Sequence, residues 1–260
     1  MRLFDAEALL LDVVDLQERD RIATFLTADH GKKRGVARGA RTKFSRFAGR
    51  LQPLAKVRLR WAEKPGRDLV RIGEVDLLRP AMELQAELEG ILVGSYLAEH
   101  FVEFAQEDEP SGPLFRLLDT TLEALLAGTD RWLAARYVEV WILRLAGIFP
   151  VPRECPLCAR PLDRQAVLLE SEGALVCTDC GSGGVAGGHL RYVGHEELGF
   201  LRATGNTALA KLAQPPAAVL DRVEDLCARV RRQFLQHELK SYHVLRQTLA
   251  RSGTTGRRTR

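Results

Sequence analysis

Three observations predict an α+β chain with more than one domain. Short apolar runs with strand character are confined to the first eighty residues. Helical periodicity takes over after Pro80. An irregular stretch rich in Cys, Pro and Gly interrupts the helical part. The chain has 260 residues, of which 46% are hydrophobic and 28% charged, enough apolar content to bury two cores and too much for general disorder. No apolar run approaches the ~18 residues that span a bilayer. The N-terminus carries Asp5, Glu7, Asp12 and Asp15 and does not read as a secretory signal, so a cytoplasmic location without membrane attachment is expected.

Residues 1–79 read as β. ALLLDVV is a compact apolar run, and RIATFLT follows after the polar DLQERD. In LAKVRLRWAE the pattern alternates: Val57, Leu59 and Trp61 share one face, and Lys56, Arg58 and Arg60 the other. Period two marks a half-buried strand. DLVRIGEVDLL is a further strand. About five short strands in so small a region predict a small barrel of OB type.

From Pro80 the reading is helical through residue 250. Residues 81–108 place Ile91, Gly94, Ala98, Phe101 and Ala105 at helix spacing, and EDEPSGP breaks that helix. LFRLLDTTLEALLAG is a second helix, ended by Gly128. DRWLAARYVEVWILRLAG is a third, with Asp130 as N-cap and Gly147 near its end. One long helix is predicted from Pro215 to about Arg251, with Val219, Val223, Leu226, Val230 and Phe234 as its apolar stripe. The last ten residues, 251–260, carry little apolar content and read as a disordered basic tail.

Residues 151–190 hold the pattern Cys155-x2-Cys158-x18-Cys177-x2-Cys180. Paired C-x2-C turns at this spacing present four thiolates to one point, the geometry of a tetrahedral zinc site. Two disulfides would need an oxidising compartment. A redox pair would need a single C-x2-C opening a helix in a thioredoxin-like unit. Four thiolates leave no coordination position for water, so one structural zinc ion per chain is expected. Cys227, amid the long helix's apolar stripe, reads as a buried core thiol.

Charge is segregated along the chain. Residues 1–79 hold 18 basic and 11 acidic side chains, whereas residues 80–250 hold 16 and 23. Between His30 and Ala62 there are eleven basic residues and no acidic one, with Phe44 and Phe47 among them and Trp61 at the end. Positive charge with aromatic faces suits sequence-independent, salt-sensitive binding of single-stranded nucleic acid. A solvated loop usually mixes signs. Phe44 and Phe47 taken singly are each open to either reading, core or stacking platform.

Several motifs fail on inspection. His237-Glu238 lacks the second His of a zinc-protease helix, since Ser241 occupies that position. GVARGARTK is not a phosphate-binding P-loop. His189 and His195 read as surface or loop histidines. Acidic residues between 83 and 109 are scattered along a helix and read as a solvated face, which disfavours a metal-dependent nuclease. A zinc-ribbon regulator or RNA-binding protein is the other alternative. Arg153, Arg160 and Arg164 near the cysteines are offset by Glu154, Asp163, Glu170, Glu172 and Asp179.

The N-terminal segment, with Glu18 and Asp20 before the second strand, Thr27, Gly31-Lys32, Arg38 to Arg41, and Ser45-Arg46, resembles the bacterial recombination mediator family RecO. SYLAEHFVEF, EPSGPLFRLLDTTLEALL, RYVEVWILRLAGIFPVPRECPLC and HELKSYHVL resemble that family's helical region in the same order. The resemblance implies an OB-fold DNA-binding domain at 1–79 and an all-helical domain at 80–250 with an inserted zinc loop. It implies a DNA-repair protein without a bond-breaking site that binds single- and double-stranded DNA and anneals complementary strands. With RecR, such a protein helps load RecA onto strands coated by single-strand-binding protein (SSB), whose acidic C-terminal tail it also binds. Carried onto this sequence, it makes Lys32, Lys33, Arg34, Arg38, Arg41, Lys43, Arg46 and Arg50 the expected phosphate contacts. Arg131, Arg136 and Arg144 are candidates for the SSB tail.

Overall fold

A computed structural model describes residues 2–149, 151–169, 173–184 and 191–255. Its contacts divide the chain into two compact units, Met1–Gly128 with Leu239–Arg260, and Thr129–Glu238. Pro80, where the sequence changes from strand to helix pattern, lies within the first of these units.

The first unit opens with five strands: β1 (Arg2–Leu16), β2 (Asp20–Thr27), β3 (Gly31–Ala37), β4 (Lys56–Glu63) and β5 (Val70–Arg79). They close a barrel in the order β1-β2-β3-β5-β4. All neighbours are antiparallel except β3 and β5, which pair in parallel at Gly35–Val70 and Val36–Arg71. β1 pairs with β4 through its first half and with β2 through its second, and a bulge between Leu10 and Asp12 accompanies that change of partner. The interior holds Leu10, Phe25, Val57, Leu59, Trp61, Ile72 and Val75. β4 follows the predicted alternation, with Val57, Leu59 and Trp61 inside and Arg58 and Arg60 outside.

Helices α1 (Leu88–Phe104) and α2 (Gly112–Leu126) belong to the same unit, as does α7 (Lys240–Thr255). α2 is clipped to the barrel where Asp119 accepts from Lys56 at 2.9 Å and Arg79 at 2.6 Å. The segment between α1 and α2 adheres to the barrel: Lys32 N–H donates to Gln106 O at 3.0 Å, and Ser111 N–H to Ala28 O at 2.8 Å. Glu99 of α1 caps α7 by accepting from the backbone N–H groups of Lys240 (3.0 Å) and Ser241 (2.7 Å).

The second unit contains α3 (Arg131–Leu145), α4 (Thr178–Gly184), α5 (His195–Asn206) and α6 (Ala217–Leu235). Asp130 caps α3 as predicted, accepting from Leu133 N–H at 2.8 Å. The stretch read as irregular contains a small antiparallel sheet of β6 (Gln165–Leu169), β7 (Ala174–Cys177) and β8 (Arg191–Gly194), in the order β7-β6-β8. α3 and α6 meet around buried charge. Arg136 and Glu139, each 1% exposed, pair at 2.7 Å, and Arg136 also binds Glu224. Breaking a buried pair of this kind by removing one partner costs about 3–5 kcal/mol.

The single long helix predicted from Pro215 to Arg251 is two helices. α6 ends at Leu235, Gln236 adopts a left-handed φ of 61°, and Glu238 folds back to accept from Arg231 and Arg232. The apolar stripe holds from Val219 to Val230, whereas Phe234 is half exposed. α7 then runs to Thr255, into the stretch read as a tail, and residues 256–260 lie outside the described residues, as does His189.

Gly31 opens β3 with φ +63°, and a Cβ there would lie 2.2 Å from Glu109 O. Gly31→Ala should lower stability by at least about 2 kcal/mol in urea unfolding. Gly49→Ala, at φ +70° with nothing within 4 Å, should cost only about 1 kcal/mol. Equal losses would show that the contact with the 105–111 segment carries no weight.

Candidate functional site

The one-sided basic stretch divides into a strand and an arm. Gly31–Ala37 form β3, and residues 38–55 link it to β4. The arm is a succession of turns, with N–H to O bonds from Thr42 to Gly39 (3.1 Å), Ser45 to Thr42 (3.0 Å), Ala48 to Ser45 (3.1 Å) and Arg50 to Phe47 (3.0 Å). Its base is tied to the β1–β2 turn, where Gly39 N–H donates to Asp20 Oδ1 at 2.8 Å and Arg41 N–H to Arg19 O at 3.0 Å. Ala40, Phe47 and Leu51 enter the barrel core.

The expected phosphate contacts separate into paired and unpaired groups. Lys33 is half buried and bound by Glu63 (2.6 Å) and by Asp108 of the α1–α2 segment. Burial alone would lower its pKa, but the two carboxylates outweigh that and raise it. Lys32 Nζ donates to Val102 O at 2.6 Å. Arg41 binds Gln17 O at 2.7 Å and Asp15 at 3.2 Å. Arg50 binds Val75 O at 2.9 Å and lies 3.7 Å from Asp76. Arg34, Arg38, Lys43 and Arg46 are exposed, and among the described residues no carboxylate pairs with them.

The basic face of β4 is neutralised across strands. Asp5 of β1 accepts from Arg58 and Arg60, each at 2.8 Å, and Arg60 also reaches Glu74 of β5 at 2.6 Å. The Arg60 and Arg58 guanidiniums hold the Asp5 carboxyl below the usual carboxylate range. Trp61 offers no stacking face. It is 1% exposed, lies against Phe4 with ring centroids 5.2 Å apart, and donates its indole N–H to Glu63 at 3.2 Å. The phenylalanines divide: Phe47 is 2% exposed and core, whereas Phe44 is 91% exposed.

In the second unit the four cysteines converge. Cys155 and Cys158 lie on the loop before β6, Cys177 ends β7, and Cys180 sits in the first turn of α4, so the β6–β7 hairpin joins the two pairs. The four sulfurs lie within 4.8 Å of one another, with Cys158 and Cys177 at 3.6 Å. Tetrahedral zinc with Zn–S of about 2.3 Å places sulfurs about 3.8 Å apart, so the donor set fits. Burial alone would push the Cys155 thiol up, but the backbone N–H groups of Cys177, Leu157 and Cys158 outweigh it and bring the pKa down to about 6. Cys180, hydrogen-bonded to Cys158 and Cys177, is pushed up to about 12. Crowded thiols resist successive ionisation, and a divalent cation removes that resistance. Nearby, Arg160 pairs with Asp179. Cys227 is fully buried as expected, and burial pushes its thiol up.

The arginines considered for an acidic peptide do not act together. Arg136 is buried with its two carboxylates and is not available to a partner. Arg144 binds Thr204 Oγ1 at 2.9 Å and Leu201 O, and desolvation lowers its pKa to about 10. Arg131, at the start of α3, is half exposed. Among the described residues, no helix is long and apolar enough to cross a membrane.

Residues 1–81 match the family described as Recombination protein O N terminal, and residues 85–243 match Recombination protein O C terminal. The chain is 35% identical over 237 residues to the DNA repair protein RecO of Anaeromyxobacter sp. strain K, a match covering 89% of each chain. It is 32% identical over 250 residues to the DNA repair protein RecO of Pelotomaculum thermopropionicum, covering 94% of each. With the DNA repair protein RecO of Myxococcus xanthus the identity is 34% over 184 residues, covering 70% of this chain and 74% of that one.

Proposed function

The chain belongs to the RecO family of DNA repair proteins, and on that premise we propose that it acts as a recombination mediator. The observation that carries this reading is the basic arm of residues 38–50. It is pinned to a closed five-stranded barrel by Phe47 and presents Arg38, Lys43 and Arg46 without carboxylate partners among the described residues. The strand order and the long β3–β4 connection support an OB fold. Such barrels bind nucleic acid along one sheet face and its loops.

Arginine-rich positive charge that is not neutralised by carboxylates binds phosphates and releases condensed counterions, so binding is independent of sequence and weakens with salt. Annealing follows from the same physics. Two strands that repel in solution are brought together on one cationic surface and held loosely enough to find register. Base pairing supplies the free energy, and no nucleotide hydrolysis is required. In this reading the protein works with RecR to help load RecA onto SSB-coated single strands.

The four-cysteine cluster holds one structural zinc ion, bound by Cys155, Cys158, Cys177 and Cys180. When bound, the ion cross-links the β6–β7 hairpin to the preceding loop. The local pairing of Arg160 with Asp179 argues against a zinc ribbon that reads nucleic acid.

Two outcomes are expected. Arg38→Glu combined with Arg46→Glu should slow the ATP-independent annealing of complementary SSB-coated oligonucleotides by about tenfold or more, with little change in unfolding midpoint. Annealing at the unaltered rate would remove the arm from the mechanism. Cys177→Ser should reduce bound zinc from about one per chain to a small fraction in metal analysis and lower the unfolding temperature. Zinc content unchanged by that substitution would contradict the assignment.

A further inference from the structure

We propose that Phe44 is a base-stacking residue that directs the basic arm toward single-stranded rather than double-stranded DNA. The inference rests on the nucleic-acid reading of the arm and adds to it a residue and a preference.

Phe44 is 91% exposed, the most exposed large hydrophobic residue described, yet it does not sit on a slack loop. Thr42 and Ser45 on either side of it join in consecutive turns, with Ser45 N–H to Thr42 O at 3.0 Å and Thr42 Oγ1 to Gly39 O at 2.8 Å. Ala40 and Phe47 anchor the arm in the barrel core on both sides. Ser45 Oγ accepts from Phe47 N–H at 3.2 Å, which helps hold the turn between the buried and exposed phenylalanines. The ring is thus held out in water by a built scaffold, where a polar residue would sit without the unfavourable exposure.

What the ring is suited to meet follows from its neighbours. Lys43 Nζ lies 5.7 Å from its centroid, and Arg38 and Arg46 are exposed on the same arm without carboxylate partners among the described residues. A nucleobase on a phosphate backbone satisfies both demands, because it offers a π-face to the ring and negative charge to the cations. A second copy of this chain would bring the same positive charges against themselves. In a duplex the base faces are already stacked on one another, so meeting Phe44 there costs the unstacking of a base step, whereas an unpaired base offers its face without that cost. Phosphate contact serves single and double strands alike, and the stacking contact distinguishes them.

The test uses the full chain, a labelled single-stranded oligonucleotide, and a duplex of the same length. Phe44→Ala should weaken single-strand binding about tenfold, as expected for one lost base–aromatic contact, and leave duplex affinity within about twofold. The slope of log affinity against log salt should not change, because no charge is removed. Phe44→Trp should restore single-strand affinity. Undiminished single-strand affinity in Phe44→Ala overturns the inference. If Arg38→Glu with Arg46→Glu nevertheless abolishes binding, the nucleic-acid reading of the arm survives. Equal losses for single strand and duplex overturn the strand preference. A wild-type dimer that dissociates in Phe44→Ala during sedimentation, with DNA affinity unchanged, assigns the ring to self-association and overturns the inference. If the unaltered chain binds neither DNA, the underlying reading falls as well.

Discussion

The parallel pairing of β3 with β5 is the constraint from which the site follows. It joins the strands at only two register positions, Gly35–Val70 and Val36–Arg71, yet it closes the barrel. A Cβ at residue 35 would meet Val70 and Ile72 side-chain atoms at 2.8 Å, so closure at this seam depends on glycine. Because β5 occupies the place beside β3, the chain leaving β3 cannot turn straight into β4. It must travel outside the barrel before β4 pairs with β1 and β5. Residues 38–55 are that journey. Ala40 and Phe47 return to the core along the way, which leaves Lys43 and Arg46 between them outside. The exposure of the basic arm is therefore a consequence of barrel topology.

Electrostatics then sorts the basic residues by what crosses over them. Asp5 and Glu74 lie on strands flanking β4 and neutralise Arg58 and Arg60. Glu63 and Asp108 bind Lys33, and Asp119 binds both Lys56 and Arg79. These pairs serve the fold, with partly exposed members contributing little individually. The arm has fewer carboxylates opposite it, and among the described residues no carboxylate pairs with Arg38, Lys43 or Arg46. A polyanion binding there would displace no ion pair that those three residues make with the described residues.

Much of the fold was legible in the sequence because periodicity is local. The alternation in KVRLRWAE identified β4 and its buried face, Asp130 identified the start of α3, and the C-x2-C pairs identified the convergent sulfurs. What failed to read locally depends on distant partners. The run of basic residues without an acid is one-sided along the chain but not in space, since Asp5 and Glu74 are remote in sequence. Trp61 closes the basic run in sequence, yet it shares the inward face of its strand with Val57 and Leu59 and lies in the core. Phe44 and Phe47 share a basic context, and only the arm's path separates the core ring from the exposed one. The break between α6 and α7 rests on Glu238 reaching back to Arg231 and Arg232. A helical pattern that resumes after a few residues conceals that break.

The central claim is that the arm of residues 38–50, and not the cysteine loop, meets nucleic acid. Hydrogen exchange of the full chain, with and without a saturating single-stranded oligonucleotide, tests it most directly. Slower exchange confined to the arm and the adjoining β3 edge, with residues 155–180 unchanged, is the predicted result. Protection centred on the cysteine loop, with the arm unaffected, would contradict the account and favour a zinc-ribbon reader.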